Sequence, residues 1–178
     1  MDIMTVLVIG GSGSGKSAFA EEKVVELAGN CPKYYIATMK IWDDEGRKKA
    51  GRHVKMREGK NFMTIEQPDD IGSIADLEST GTVLLESMSN LVANEMFKDE
   101  TVVSEDEVAD KICKDIEVLT GRVRDIVIVS DNVFEEGTDH GTETNSYINA
   151  MGRVNNYLAG ISDEVWEVVC GIPVKVKR

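Results

Sequence analysis

The chain is poor in the residues that disulfide scaffolds and metal frameworks need. Its 178 residues include only three cysteines, Cys31, Cys113 and Cys170, far apart and without a C-x-x-C pair, and only two histidines. Neither a disulfide framework nor a zinc site fits that inventory, and the cysteines are expected to be reduced in a cytoplasmic protein. Apolar runs are short, none approaching the roughly 18 residues of a membrane helix. Asp2 leads straight into the first apolar run, so neither a membrane segment nor a signal peptide is expected. Basic charge is scarce too. A formal net charge of −12 argues against general binding to nucleic acid or to an anionic membrane, both of which need basic surface over much of a molecule. Any anion site must therefore be local. No repeat or low-complexity tract is present, and residues 1–178 are the length of one domain with a core of its own.

What the chain does have is alternation. Apolar, β-branched runs recur at Ile3 to Ile9, Tyr34 to Thr38, Phe62 to Glu66, Thr82 to Glu86, Ile126 to Asp131 and Glu164 to Cys170, with helical stretches between them. That order predicts βαβ units, hence an α/β fold with a mostly parallel sheet and helices on both faces. Ser104 and Glu107 read as a capping box, with Val108, Ile112, Ile116 and Leu119 following at helical spacing as a buried stripe. A second helix is expected from about Asn145 to Leu158, and Ile172 to Lys177 reads as a short last strand. The acidic, glycine-bearing stretch from Phe134 to Thr144 is the best candidate for a mobile loop.

One segment carries specific chemistry. Gly10-Gly11-Ser12-Gly13-Ser14-Gly15-Lys16-Ser17 fits the phosphate-loop pattern G-x-x-x-x-G-K-[ST] at every fixed position. It also lies between an apolar strand, Met4 to Ile9, and a helical stretch from Ala18, as that loop requires. Glycines let backbone N–H groups converge on phosphate oxygens, and the helix start adds partial positive charge. Lys16 is placed to reach the β- and γ-phosphates and Ser17 to bind Mg²⁺. A phosphate-loop NTPase-like domain that binds a nucleoside triphosphate is the expectation.

A second constellation lies between Gly46 and Lys60, where Arg47, Lys48, Lys49, Arg52, Lys55, Arg57 and Lys60 face a single acid, Glu58. A solvated helix face is one explanation of such a run. The other rests on His53 in its middle, since neighbouring cations lower an imidazole's pKa and favour the neutral, nucleophilic form. A nucleotide docked there would offer its α-phosphorus to His53, and Lys16 with Mg²⁺ would carry the pyrophosphate charge. His140 lies in the acidic stretch and has no such setting. Two carboxylates, Glu86 and Asp131, close strands whose carboxyl ends line the ligand crevice of a doubly wound sheet. Either suits Mg²⁺. Glu86 and Glu66 also suit guanine, whose N1–H and N2–H₂ are adjacent donors, and Glu86 could equally cap the helix that begins at Ser87.

Taken together, these segments resemble the bifunctional adenosylcobinamide kinase/adenosylcobinamide-phosphate guanylyltransferase family of cobalamin biosynthesis. The resemblance runs nearly end to end. Besides the loop it rests on Tyr35-Ile36-Ala37-Thr38, Asp43-Asp44-Glu45, His53 with Arg57, Thr64-x-Glu66-x-Pro68, Leu84-Leu85-Glu86, Gly152-Arg153-Val154-Asn155 and Gly171-Ile172-Pro173-Val174-Lys175. The resemblance implies phosphorylation of the aminopropanol hydroxyl of adenosylcobinamide, with GTP or ATP as donor. Transfer of GMP from GTP to that phosphate would follow, through a guanylylated histidine. It makes His53 the nucleophile, with Lys16 beside it in catalysis. It places the guanine nucleotide on Gly10 to Ser17, on Ala37, Thr38 and Met39, on Val54, Lys55, Met56 and Arg57, and on Glu66 and Glu86. A small homo-oligomer, a trimer, is implied as well.

The chain departs from that pattern in two places. Glu58 follows Arg57 where the family usually has proline. Asp131-Asn132-Val133-Phe134 stands where Asn-Glu-Val-Gly is usual, and Asp139 and Asn145 to Asn149 replace a proline and an Arg-x-Phe-Arg-Asp run. These changes point to the acceptor side. A related phosphate-loop kinase or nucleotidyltransferase with another acceptor, and a nucleotide-binding regulatory protein without transfer activity, are the alternatives.

Overall fold

The computed structural model describes residues 3–41, 43–132 and 141–177. Seven strands form one sheet: β1 (Met4–Gly10), β2 (Lys33–Ala37), β3 (Phe62–Glu66), β4 (Thr82–Glu86), β5 (Asp125–Asp131), β6 (Glu164–Val169) and β7 (Ile172–Lys177). Five helices connect them, α1 (Lys16–Ala28), α2 (Asp44–Arg57), α3 (Met88–Met96), α4 (Glu105–Thr120) and α5 (Thr142–Ile161). The spatial order is β3-β2-β4-β5-β1-β6-β7. Every pairing is parallel except β6 with β7. The expected α/β class and the strand positions hold to within a residue or so.

Alternation along the inner strands separates two cores. Leu7, Val83, Leu85, Ile126 and Ile128 pack with buried residues of α3, α4 and α5, while Val6, Val8, Leu84, Val127 and Val129 pack with Ala20 and Val24 of α1. Both faces of the central strands are therefore covered, which is why they read as continuous apolar runs rather than alternating ones. Each fully buried Leu or Ile contributes about 1.5–3 kcal/mol. The stripe expected on α4 is buried in full. Its box is half formed: Ser104 Oγ accepts from the Glu107 N–H at 3.3 Å, but the Glu107 carboxylate meets the Ser104 hydroxyl instead of its N–H.

Two boundaries differ from expectation. Most of the stretch read as a mobile loop, residues 134–140 with His140 and Asp139, lies outside the described residues, but its end is helical. Gly141, at φ 90°, sits at the N-cap, so α5 begins at Thr142 and continues to Ile161. Among the described residues no helix is long and apolar enough to cross a membrane.

Register positions the site. Ala37 lies opposite both Glu66 and Glu86, and Gly10 opposite Asp131, so the last residues of five parallel strands share one edge of the sheet.

Candidate active site

The phosphate loop is folded as a cradle against the turn between β6 and β7. Gly15 has φ 92°, and a Cβ on Gly10 would lie 2.5 Å from Ser14 Oγ and 2.8 Å from the Val168 carbonyl oxygen, so only glycine fits there. Gly171 N–H donates to the Ser14 carbonyl at 2.8 Å and holds the loop from behind. Lys16 opens α1. Its ammonium donates to the Gly11 carbonyl at 3.0 Å and pairs with Asp131 Oδ1 at 2.7 Å. Ser17 Oγ donates to Glu86 Oε1 at 2.7 Å. The two acids at strand ends thus divide the loop between them, one taking its hydroxyl and the other its ammonium.

Glu86 does not cap α3; its contact is across to Ser17. Burial pushes its carboxyl up to about 7, against the pull of the Ser17 hydrogen bond and the Lys16 charge. Thr38 fixes the backbone there, its hydroxyl donating to the Glu86 and Ser87 carbonyls at 3.0 and 2.9 Å. Asp131 is held from two sides. Ser89 Oγ donates to its Oδ2, and Asn155 of α5 donates to its carbonyl at 3.3 Å.

Helix α2 begins where Asp43 accepts from the Gly46 N–H at 2.7 Å, with Asp44 and Glu45 in the first turn and Lys55 and Arg57 in the last. Those charges complement the helix dipole at both ends. None of its residues is buried. Arg57 stacks on the Tyr35 ring at 3.5 Å, and Lys60, just past the helix, pairs with the fully buried Glu21 of α1 at 2.6 Å. Burial, then Lys49, Arg57, Arg52 and Lys16, hold the His53 imidazole below its ordinary pKa. A neutral ring is the result.

Two cavities meet at His53. One, of about 680 Å³, is floored by Ser12 to Ser17 and walled by Met56, Asp131 and Tyr147. The other, of about 630 Å³, is lined by Ala37, Met39, Val54, Arg57, Glu66 and Glu86, among others. Lys49, His53, Glu86 and Ser87 border both. Among the described residues, five buried side-chain polar atoms have no partner. Four of them belong to residues of these walls: Ser14 Oγ, His53 Nδ1, Arg57 Nη1 and Glu86 Oε2. Buried groups of that kind each cost about 1–3 kcal/mol unless something meets them, so their concentration here marks a ligand site.

Of the residues singled out from sequence, Ser12 to Ser17, Ala37, Met39, His53, Val54, Met56, Arg57, Glu66 and Glu86 line one cavity or the other. Gly10, Gly11, Thr38 and Lys55 line neither cavity; Gly10 and Thr38 are buried, and Gly11 and Lys55 are exposed. Ser89 joins the site unannounced, and Tyr35 and Tyr147, present in segments quoted for the resemblance and its departures, join it without a role assigned from sequence. No spacing pattern assigns them a role, because each arrives from a different helix or strand.

A family model described as cobinamide kinase / cobinamide phosphate guanyltransferase (CobU) matches residues 6–176. The chain belongs to this family. It is therefore a transferase of the kinase and guanylyltransferase type, in cobalamin biosynthesis. Similar proteins include the bifunctional adenosylcobalamin biosynthesis protein CobU of Escherichia coli (strain K12), 30% identical over 187 residues, and that of Salmonella typhimurium (strain LT2), 32% identical over 186 residues. Each alignment spans 98% of this chain and 100% of the relative. Among solved structures, the flagellar accessory protein FlaH of Methanocaldococcus jannaschii shares the fold, with a TM-score of 0.52 at 11% identity over 98% of this chain and 78% of that one.

Proposed function

We propose that the chain, acting as one catalytic domain, phosphorylates the alcohol of adenosylcobinamide and then transfers GMP from GTP to that phosphate by way of His53. The observation that carries this reading is the place of His53, on the wall shared by the phosphate-loop cavity and the cavity lined by Glu66 and Glu86. A nucleotide spanning both puts its triphosphate on the loop, its base beside the carboxylates and its α-phosphorus at the imidazole.

The base cavity suits guanine. Glu86 Oε2 and the Glu66 carboxylate are acceptors for N1–H and N2–H₂, and Arg57 Nη1 is a donor of the kind that guanine O6 and N7 accept. In the guanylylation step a neutral imidazole nitrogen of His53 attacks the α-phosphorus, a nitrogen–phosphorus bond forms, and pyrophosphate leaves with the bridging oxygen. The corrinoid phosphate then displaces His53 and receives GMP. Lys16 offsets charge on the departing phosphates. Mg²⁺ fits the hard oxygen donors of Ser17 and Glu86, since it is usually held by one or two carboxylates together with substrate phosphates. When bound it would neutralise phosphate charge. ATP could also serve the kinase step, which needs only the γ-phosphate to be held.

The three free cysteines suit a cytoplasmic setting. The exposed row Ile172, Val174 and Val176 on the edge strand β7 suits a homo-oligomer, a trimer by resemblance. Incubation with α-labelled GTP tests the histidine step. Acid-labile, base-stable label should appear on the wild-type chain and be absent from His53→Ala, and GTP binding without any label would remove this mechanism.

A further inference from the structure

The two displacements of the guanylyl transfer proposed above meet at one phosphorus, and transfers of this kind proceed with the attacking and leaving atoms roughly in line. When His53 attacks the α-phosphorus, pyrophosphate departs on the face away from the imidazole. When His53 is itself displaced, the incoming oxygen must arrive on that same face. The phosphate of the acceptor is therefore confined to the side that pyrophosphate has left.

Among the described residues, three cations border the phosphate-loop cavity: Lys16, Lys49 and Arg52. They stand on different elements. Lys49 and Arg52 are exposed and belong to α2, the helix that also carries His53, so a phosphate held by them would stay beside the leaving group. Lys16 is 8% exposed and opens α1, where the glycine loop turns its N–H groups inward and Ser14 Oγ is buried without a partner. Both the loop and α2 line this cavity, but only the loop is a separate element from the nucleophile. An oxygen arriving from the loop meets the phosphorus opposite the imidazole; one arriving from α2 does not.

We propose that the phosphate loop is also the acceptor site of the second transfer: the phosphate of cobinamide phosphate takes the place vacated by pyrophosphate and is held by Lys16 and the loop N–H groups. An oxygen of that phosphate bonds to the α-phosphorus, the nitrogen–phosphorus bond breaks, and its electron pair returns to the imidazole. The ring has kept its other N–H throughout, so it leaves neutral and no proton moves. This inference rests on the histidine reading above. It adds an order to the reaction, because pyrophosphate has to leave before cobinamide phosphate enters.

Wild-type chain labelled from α-labelled GTP, then freed of nucleotide and pyrophosphate by gel filtration, supplies the test. It receives pyrophosphate and cobinamide phosphate together, each well above the concentration that saturates it alone, and the label is divided between GTP and the corrinoid product. If the two share the loop, raising cobinamide phosphate about tenfold lowers the ratio of labelled GTP to labelled corrinoid about tenfold, by simple competition. A ratio that does not move at saturation would put them in separate sites and overturn the proposal. Equilibrium binding of cobinamide phosphate then locates the shared site. Lys16→Ala should weaken it by at least about tenfold, as loss of a charged hydrogen bond does, and Arg52→Ala by less than about threefold. The reverse order would place the phosphate on α2 and overturn the proposal as well. Should Lys16→Ala fail to fold, the label ratio on the wild-type chain decides alone. A labelled chain that returns GMP to pyrophosphate but never passes it to cobinamide phosphate would overturn the acceptor site. A wild-type chain that binds GTP and takes no label would instead overturn the histidine reading, and this inference with it.

Discussion

Helix α1 and helix α2 both contribute to the site, but they are attached to the molecule in opposite ways. α1 buries Lys16, Ala20, Glu21, Val24 and Ala28, and its first turn is continuous with a loop anchored to β1 and to the β6–β7 turn. α2 buries nothing. It is kept in place by the Asp43 cap, by Arg57 lying on Tyr35 and by Lys60 reaching Glu21. The phosphate-loop side of the site is thus part of the core, whereas the His53 side is held by a few polar contacts. Burial fixes where phosphate goes; charge and stacking decide how His53 meets it.

That contrast can be broken first at Lys16. Lys16→Ala should lower phosphorylation and guanylylation together by about 10³-fold, because one loop serves both steps. A variant that kept full guanylylation, measured as label on His53, would show that the two activities do not share the loop.

A smaller effect, on stability, probes the tether. Glu21 is fully buried and Lys60 about one-third exposed, and Glu21 Oε1 has no second partner. Lys60→Ala leaves a buried carboxylate unpaired and should cost about 2–3 kcal/mol in denaturant unfolding. Glu21→Gln keeps an acceptor for Lys60 without a buried charge, and should cost less. If Glu21→Gln proves the more damaging, the pair is not what links α2 to α1.

The mildest test is the pH profile of guanylylation. Only the neutral imidazole attacks, and burial together with nearby cations lowers the His53 pKa. Its reactivity is therefore present above that lowered pKa, and the acid limb should fall below the ordinary histidine range near 6.5. Lys49→Ala removes the largest cationic contribution and should move the limb upward. A limb that stays put would remove Lys49 from the causes and leave burial with Arg57, Arg52 and Lys16.

Much of the site is legible in the sequence. Ser12 to Ser17 line a cavity as the motif requires, and His53 lies in the basic helix where its neighbours depress its pKa as expected. Strand ends were readable too, since Glu86 and Asp131 each close an apolar run. The choice between capping and ligand roles for Glu86 was not. It depended on whether β4 lies near enough to α1 for the carboxylate to meet Ser17, which is a matter of strand order. Tyr147 was hidden for another reason: it lies within the helix expected from Asn145, but the first turns of that helix are polar and half exposed, and periodicity does not say that they border the loop cavity.

Local rules, the glycine loop between a strand and a helix, the run of cations around one histidine, and apolar periods of two and 3.6, were enough to specify a phosphate-loop α/β domain and to single out His53 as the candidate nucleophile. The partition of labour between Glu86 and Asp131 arose only on folding. Their strands are neighbours in the sheet, yet they are separated in the chain by α3 and α4. Sequence separation carries no information about which carboxylate will face a hydroxyl and which an ammonium. Sheet order does, because it sets which strand end lies beside the loop.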